Sequence, residues 1–189
     1  VLKALLIGSG NDAALALGQH HSKGYNHFID LMNQKAKQLN LNKAHFTNVS
    51  GVEQDSHYTT ARNLSLLAKV AIQNPVIKKI VATKKETIRS VDGTITHLLE
   101  NTNPLLGKVE GVDGIKTGWT TRAGECLVTH TERNGREIIV VVLGSKDRSG
   151  ESQRIIEWIY ENVAWTPFPK DIIQPVPVPK QSQPLGLKP

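Results

Sequence analysis

The sequence predicts an α/β (α+β) domain: a helical part, then an antiparallel sheet, then a helix packed on that sheet. Three observations predict it. Apolar residues of the first half recur at spacings of three and four. Those of the second half alternate, or run continuously, around a two-residue Asn-Gly turn. The last apolar stripe is again helical.

The elements follow in order. Leu2–Ile7 is an apolar run but for Lys3; it stops at Gly8-Ser9-Gly10 and resembles a cut helix. Asn11-Asp12 is expected to cap a helix through Ala13, Leu15, Ala16 and Leu17 that ends near His21. From Gly24, the residues Tyr25, Phe28, Ile29, Met32, Ala36 and Leu39 form one amphipathic stripe. Residues 40–58 show no period and read as a loop. Thr59 or Thr60 caps a helix facing inward through Leu64, Leu67, Ala68 and Ala71. It stops at Asn74-Pro75, because a residue before proline avoids helical angles. Lys84–Ser90 and Thr94–Leu99 read as a strand pair around Asp92-Gly93. Asp113–Thr117 leads to a further strand. Glu125–Arg133 and Arg136–Leu143 are joined by Asn134-Gly135, the pair favoured in a type I′ turn. The run Ile138–Leu143 calls for cover on both faces. A last helix is expected to bury Ile155, Ile156, Ile159 and Val163.

Seven of the nine prolines lie between Pro167 and Pro189. Proline fixes φ and removes a donor, so residues 166–189 read as a linker or the start of a further segment, and residues 1–165 as the folded part. No apolar run approaches the ~20 residues that cross a bilayer. The opening Val1–Ile7 is too short and wrongly flanked for a secretory signal, and the only Met is Met32. The expectation is a domain that lacks an N-terminal segment.

The 23 basic and 17 acidic residues give a net charge of +6, but the cations are scattered and aromatics make up only 5%. A nucleic-acid surface would need a clustered basic stripe with stacking rings, so none is expected. One cysteine, Cys126, excludes an internal disulfide and reads as a buried strand residue. His20-His21 lacks a third ligand at zinc spacing and reads as surface or helix-end packing. No Gly-rich phosphate loop occurs. No cofactor and no metal are expected.

Two short motifs carry chemistry. Ser9-Gly10-Asn11 sits between two helices, and Lys116-Thr117-Gly118 sits at a strand end. A Lys-Thr-Gly triplet arises by chance about 0.04 times in a chain this long, whereas Ser-x-Asn alone says little. In this order and on these elements, they are two of the three marks of serine acyl-transferases that act on D-alanyl peptides and β-lactams. Ser9 can relay a proton, or simply cap the next helix. Asn11 can hold a substrate carbonyl, or cap. Lys116 supplies positive charge beside the relay, Thr117 a hydroxyl for a carboxylate, and Gly118 leaves room for a peptide to add as a strand. A strand end running into a glycine turn would give the same triplet.

The chain resembles the low-molecular-mass penicillin-binding proteins, specifically the serine-type D-alanyl-D-alanine carboxypeptidases. The resemblance runs over nearly all of residues 1–165. It is carried by Leu2–Ala14, Val112–Thr120, Ala123-Gly124, Cys126–Val128, Phe46–Asn48 with Gly51, Tyr58–Arg62 and Asn101–Leu106. It implies a penicillin-binding/β-lactamase-like fold, with a helical subdomain and an antiparallel sheet flanked by helices. It implies Ser9, Asn11 and Lys116 as catalytic residues and Thr117, Gly118, Trp119 and Arg148 as substrate-binding ones. Trp119 would contribute its backbone N–H to an oxyanion hole. Arg148 would hold the substrate's terminal carboxylate, although a solvated charge before a helix reads equally well. The implied partners are a peptidoglycan stem peptide ending in D-Ala-D-Ala and, as inhibitors, β-lactams. The implied location is extracytoplasmic, with membrane contact only through an anchor outside the chain.

One departure matters most. The family's first motif, Ser-x-x-Lys, holds the nucleophile and its base, and none of the ten serines here is followed three residues later by lysine. In the family that motif lies upstream of Ser-x-Asn. The expectation is therefore a partner segment, N-terminal to this chain, that carries it. The Gly24-Tyr25-Asn26 and Met32-Asn33 helix is also similar to that of D,D-endopeptidases, which keeps that reading open. A β-lactamase is disfavoured by Ser-Gly-Asn in place of Ser-Asp-Asn and by the lack of Glu-x-x-Leu-Asn. A non-catalytic binding or structural homologue is the reading from a different class.

Overall fold

A computed structural model of the chain describes residues 1–166. Apart from Thr166, the proline-rich stretch lies outside the described residues. Five helices come first: α1 (Leu2–Leu6), α2 (Asn11–Gln19), α3 (Tyr25–Gln38), α4 (Ala61–Ile72) and α5 (Pro75–Val81). Strands β1 (Lys85–Arg89) and β2 (Thr96–Glu100) form one hairpin. Strands β3 (Val112–Thr120), β4 (Gly124–Arg133) and β5 (Arg136–Ser145) form a second sheet, and α6 (Arg148–Asn162) is the last element among the described residues. Both sheets are antiparallel, and the larger has the order β3-β4-β5.

The β4–β5 turn is where the sequence placed it. Asn134 and Gly135 have φ of 52° and 72°, the two positive values a type I′ turn requires. The sheet is covered on both faces, as the apolar run in β5 demands. On one face, Leu127, Val140 and Val142 meet Ile156 of α6 together with Leu105, Val109 and Val112. On the other, Ile115, Val128 and Ile139 meet Ala68 of α4, Val81 of α5 and Leu6 of α1. Two apolar layers thus fix β3 between helices from opposite ends of the sequence.

Four expectations need correction. Asn74-Pro75 ends α4 but also starts α5, which the sequence reading missed. The Asn74 side chain accepts from the N–H groups of Val76 and Ile77, and Pro75 fills the first helical turn, where its missing N–H costs nothing. The inward face of α6 is Ser152, Ile156, Ile159 and Tyr160, whereas Ile155 and Val163 are each 41% exposed. The Tyr160 hydroxyl donates to the carbonyl of Arg136, and its ring lies under the Arg133 guanidinium, so an aromatic replaces the expected valine. Asn11 does not cap α2. Gly10 is the N-cap, and the Asp12 carboxylate accepts from the N–H of Ala13. Cys126 lies on β4 but is half-buried rather than buried, its thiol near the carbonyl of Ala123. His21 packs its ring against His27 and Phe28 at the α2 end, as expected.

The loop over residues 41–58 is held by side chains. Asn33 of α3 brackets Phe46, donating to its carbonyl at 2.7 Å and accepting from its N–H at 2.9 Å. The His57 Nδ1 accepts from the N–H of Thr47 at 3.1 Å. Burial, and then the repulsion of His45, hold His57 below the ordinary histidine range. The neutral ring is the one that accepts, so this contribution is fully present above the unfolded pKa of about 6.5 and is lost as pH falls below it. The hydrogen-exchange protection factor of the Thr47 amide is therefore expected to drop between pH 7 and 5. Protection independent of pH would contradict this role for His57.

Candidate active site

The site forms where the α1–α2 turn meets β3. Gly10 allows the turn to fold back on α1. Its N–H donates to the Ala4 carbonyl at 3.1 Å, and a Cβ there would sit 2.8 Å from the Asp12 carboxylate. Ser9, between two glycines, takes a φ of 56°, a left-handed value that non-glycine residues seldom adopt. That conformation presents the hydroxyl to β3. Lys116 Nζ donates to Ser9 Oγ at 2.6 Å and to the Thr117 carbonyl at 2.7 Å. Ser9 is thus engaged by Lys116 rather than serving as a helix cap.

β3 is an outer strand of its sheet among the described residues, so one backbone edge is open for strand addition. Thr117 is buried, and its hydroxyl lies 2.6 Å from that of Thr102. Gly118 is exposed; a Cβ there would make only an ordinary 3.7 Å contact with Cys126. Its glycine is therefore not demanded by the internal packing, and the free space lies on the open side. Arg148, first residue of α6, reaches back and donates to the Gly118 carbonyl at 2.9 Å, while its own N–H meets Glu125. Trp119 follows with a side chain that is 66% exposed.

Five of the seven expected residues thus converge: Ser9, Lys116, Thr117, Gly118 and Arg148. Trp119 is next along the same strand. Asn11, two residues beyond Ser9, opens α2 with an exposed side chain. The sequence reading assigned no role to Thr102, Glu125 or Glu53. Glu53, from the 41–58 loop, accepts the Arg122 N–H just past β3. None of the three carries a spacing signal, because each acquires its contact only through the tertiary fold.

Electrostatics follow from this packing. Burial lowers the Lys116 pKa to about 8, and the Arg148 guanidinium pushes in the same direction. Two cations with open coordination suit a carboxylate, and an amine titrating near neutrality can accept or return a proton through Ser9.

A half-buried lysine on an outer strand is thus bonded to the serine of an interhelical turn in an α+β fold. The chain belongs to the D-alanyl-D-alanine carboxypeptidase family, whose model matches residues 1–147. It is 31% identical over 173 residues to D-alanyl-D-alanine carboxypeptidase DacF of Bacillus subtilis, covering 90% of this chain and 44% of that protein. The structure of the Streptomyces K15 DD-transpeptidase superposes with a TM-score of 0.80 at 32% identity, over 85% of this chain and 66% of that one. Penicillin-binding protein D2 of Listeria monocytogenes, in its cefotaxime-bound form, superposes with a TM-score of 0.72 at 33% identity, over 82% and 63%. The chain spans less than half the length of DacF and about two thirds of the K15 chain.

The Lys116 charge gives a pH signature in the full-length protein. Below pH 8 the ammonium is charged and attracts a carboxylate; above it, that attraction fades. KM for a peptide with a free C-terminus should rise as pH passes about 8, and Lys116→Arg should remove that limb. A KM flat from pH 7 to 9.5 would contradict the assignment.

Proposed function

We propose that this chain supplies the relay and substrate-binding part of a serine D,D-carboxypeptidase that removes the terminal D-Ala of peptidoglycan stem peptides. The observation that carries the reading is the 2.6 Å contact of Lys116 with Ser9, which joins two motifs far apart in sequence. The nucleophile and its lysine base are assigned to a Ser-x-x-Lys on an N-terminal segment of the full-length protein, because no serine of this chain has that pattern. The work is extracytoplasmic, where peptidoglycan lies.

The stem peptide adds as a strand along the β3 edge, past Gly118. Lys116, Thr117 and Arg148 hold its terminal carboxylate, and the Asn11 carboxamide donates to a peptide carbonyl. The nucleophilic oxygen attacks the penultimate D-Ala carbonyl, whose developing negative charge meets the N–H of Trp119. The nucleophile's proton passes by way of its lysine base and Ser9 to the leaving amine. The C–N bond then breaks, D-Ala departs and an ester remains, which water hydrolyses. A β-lactam enters the same way: its ring amide opens, and its carboxylate occupies the Lys116–Thr117 position. The endopeptidase reading uses the same groups on cross-linked peptides, so rates on free and cross-linked stem peptides separate the two.

Labelled penicillin should form a stoichiometric ester with the full-length protein and none with residues 1–189 alone. An adduct on residues 1–189 would overturn the assignment of the nucleophile. In the full-length protein, Lys116→Ala should slow acylation by roughly 100-fold or more, the scale of losing one charge-stabilising group. Unchanged acylation would remove Lys116 from the mechanism.

A further inference from the structure

The turn Asn101-Thr102-Asn103 is built more firmly than a hairpin exit requires. Asn101 Nδ2 donates to the carbonyls of Val81 and Thr83, and Asn101 Oδ1 accepts from the N–H of Asn103. Asn103, almost fully buried, donates to the Gly114 carbonyl and accepts from the N–H of Leu105. These bonds hold Thr102 between the two halves of the site. Its N–H donates to the carbonyl of Ile7, two residues before Ser9, at 3.2 Å. Its hydroxyl lies 2.6 Å from that of Thr117, a full-strength O–H···O distance.

A threonine hydroxyl has one hydrogen and two lone pairs. Two hydroxyls in contact share one hydrogen between them. A carboxylate only accepts, so Thr117 can donate to it only if the shared hydrogen comes from Thr102. With Thr102 donating inward, the hydrogen of Thr117 is free to point at the substrate. If Thr102 is absent, Thr117 is free to turn its hydrogen elsewhere.

We propose that Thr102 is a positioning residue that orients the Thr117 hydroxyl toward the terminal carboxylate of the substrate. The role rests on the D,D-peptidase reading above. Thr102 touches no reacting atom; it acts through Thr117. Its N–H also ties the Thr102 turn to Ile7, just before the Ser9 turn, a link that side-chain substitution leaves in place.

The test is a double-mutant cycle in the full-length protein, on a soluble peptide ending in D-Ala-D-Ala. Thr102→Val keeps shape and removes the donor. It should raise KM about 5- to 10-fold with kcat within about twofold, the scale of one hydrogen bond to a charged group. Thr102→Ser should restore KM. Adding Thr102→Val to Thr117→Val should cost nothing more, because the group it orients is already gone. The thermal midpoint of Thr102→Ser should match the wild type, and that of Thr102→Val, which takes one partner from the buried Thr117 hydroxyl, should fall by only a few degrees. An active wild type with an unchanged KM in Thr102→Val overturns the role, and so do losses that add in the double variant. A wild type that turns over no D-Ala-D-Ala peptide overturns the D,D-peptidase reading itself, and this role with it.

Discussion

The contact between Lys116 Nζ and Ser9 Oγ joins residues 107 apart in sequence, and the other features of the site are arranged around it. The lysine is on a strand fixed between two apolar layers, so its position is set by the core. The serine is on a turn fixed by α1, whose C-cap Ile7 is fully buried. A left-handed φ at Ser9 is sustained only because both flanks are held this way. Burying an ammonium is unfavourable, and among the described residues no carboxylate is hydrogen-bonded to it. Its partners are a hydroxyl and a carbonyl. The lowered pKa follows from that environment, and Arg148 nearby adds to it. Among the described residues neither the Lys116 ammonium nor the Arg148 guanidinium is paired with a carboxylate, and the proposed substrate carboxyl terminus would supply that charge.

Much of the fold was legible because its signals are local. The Asn134-Gly135 turn fixed one hairpin, and the apolar run Ile138–Leu143 required cover from both sides. Thr60 capped α4 through the N–H of Asn63 as its residue type suggested. The failures were also physical. Proline after asparagine is both a stop and a start signal, and only the stop was read, so α5 was missed. On α6, Ile155 and Val163 fit a helical stripe as well as Tyr160 does. The choice was made by Arg133, whose guanidinium binds Glu157 with two hydrogen bonds and covers the Tyr160 ring.

The site divides in the same way. Ser9 and Lys116-Thr117-Gly118 were legible because each motif is contiguous. That they touch, and that Arg148 reaches the Gly118 carbonyl, depends on long-range packing. Thr102 lies in the Asn101–Leu106 stretch that carries the resemblance, but its role was illegible for the same reason, since it comes from a contact across a turn and a strand. Asn11 was expected in a capping or binding role. The structure places Gly10 as the cap and leaves the Asn11 side chain exposed. The family match extends over both motifs but ends at residue 147, one position before Arg148. For Arg148, therefore, the geometry of the contact is the stronger argument.

The most direct measurement is an NMR titration of the Lys116 side chain, with its signal assigned by comparison with Lys116→Arg in the full-length protein. A midpoint near 8, moving up when Arg148 is replaced by glutamine, is the expected result. A midpoint at the ordinary lysine value of about 10.4, unmoved by Arg148→Gln, would contradict a desolvated Lys116 held against Ser9.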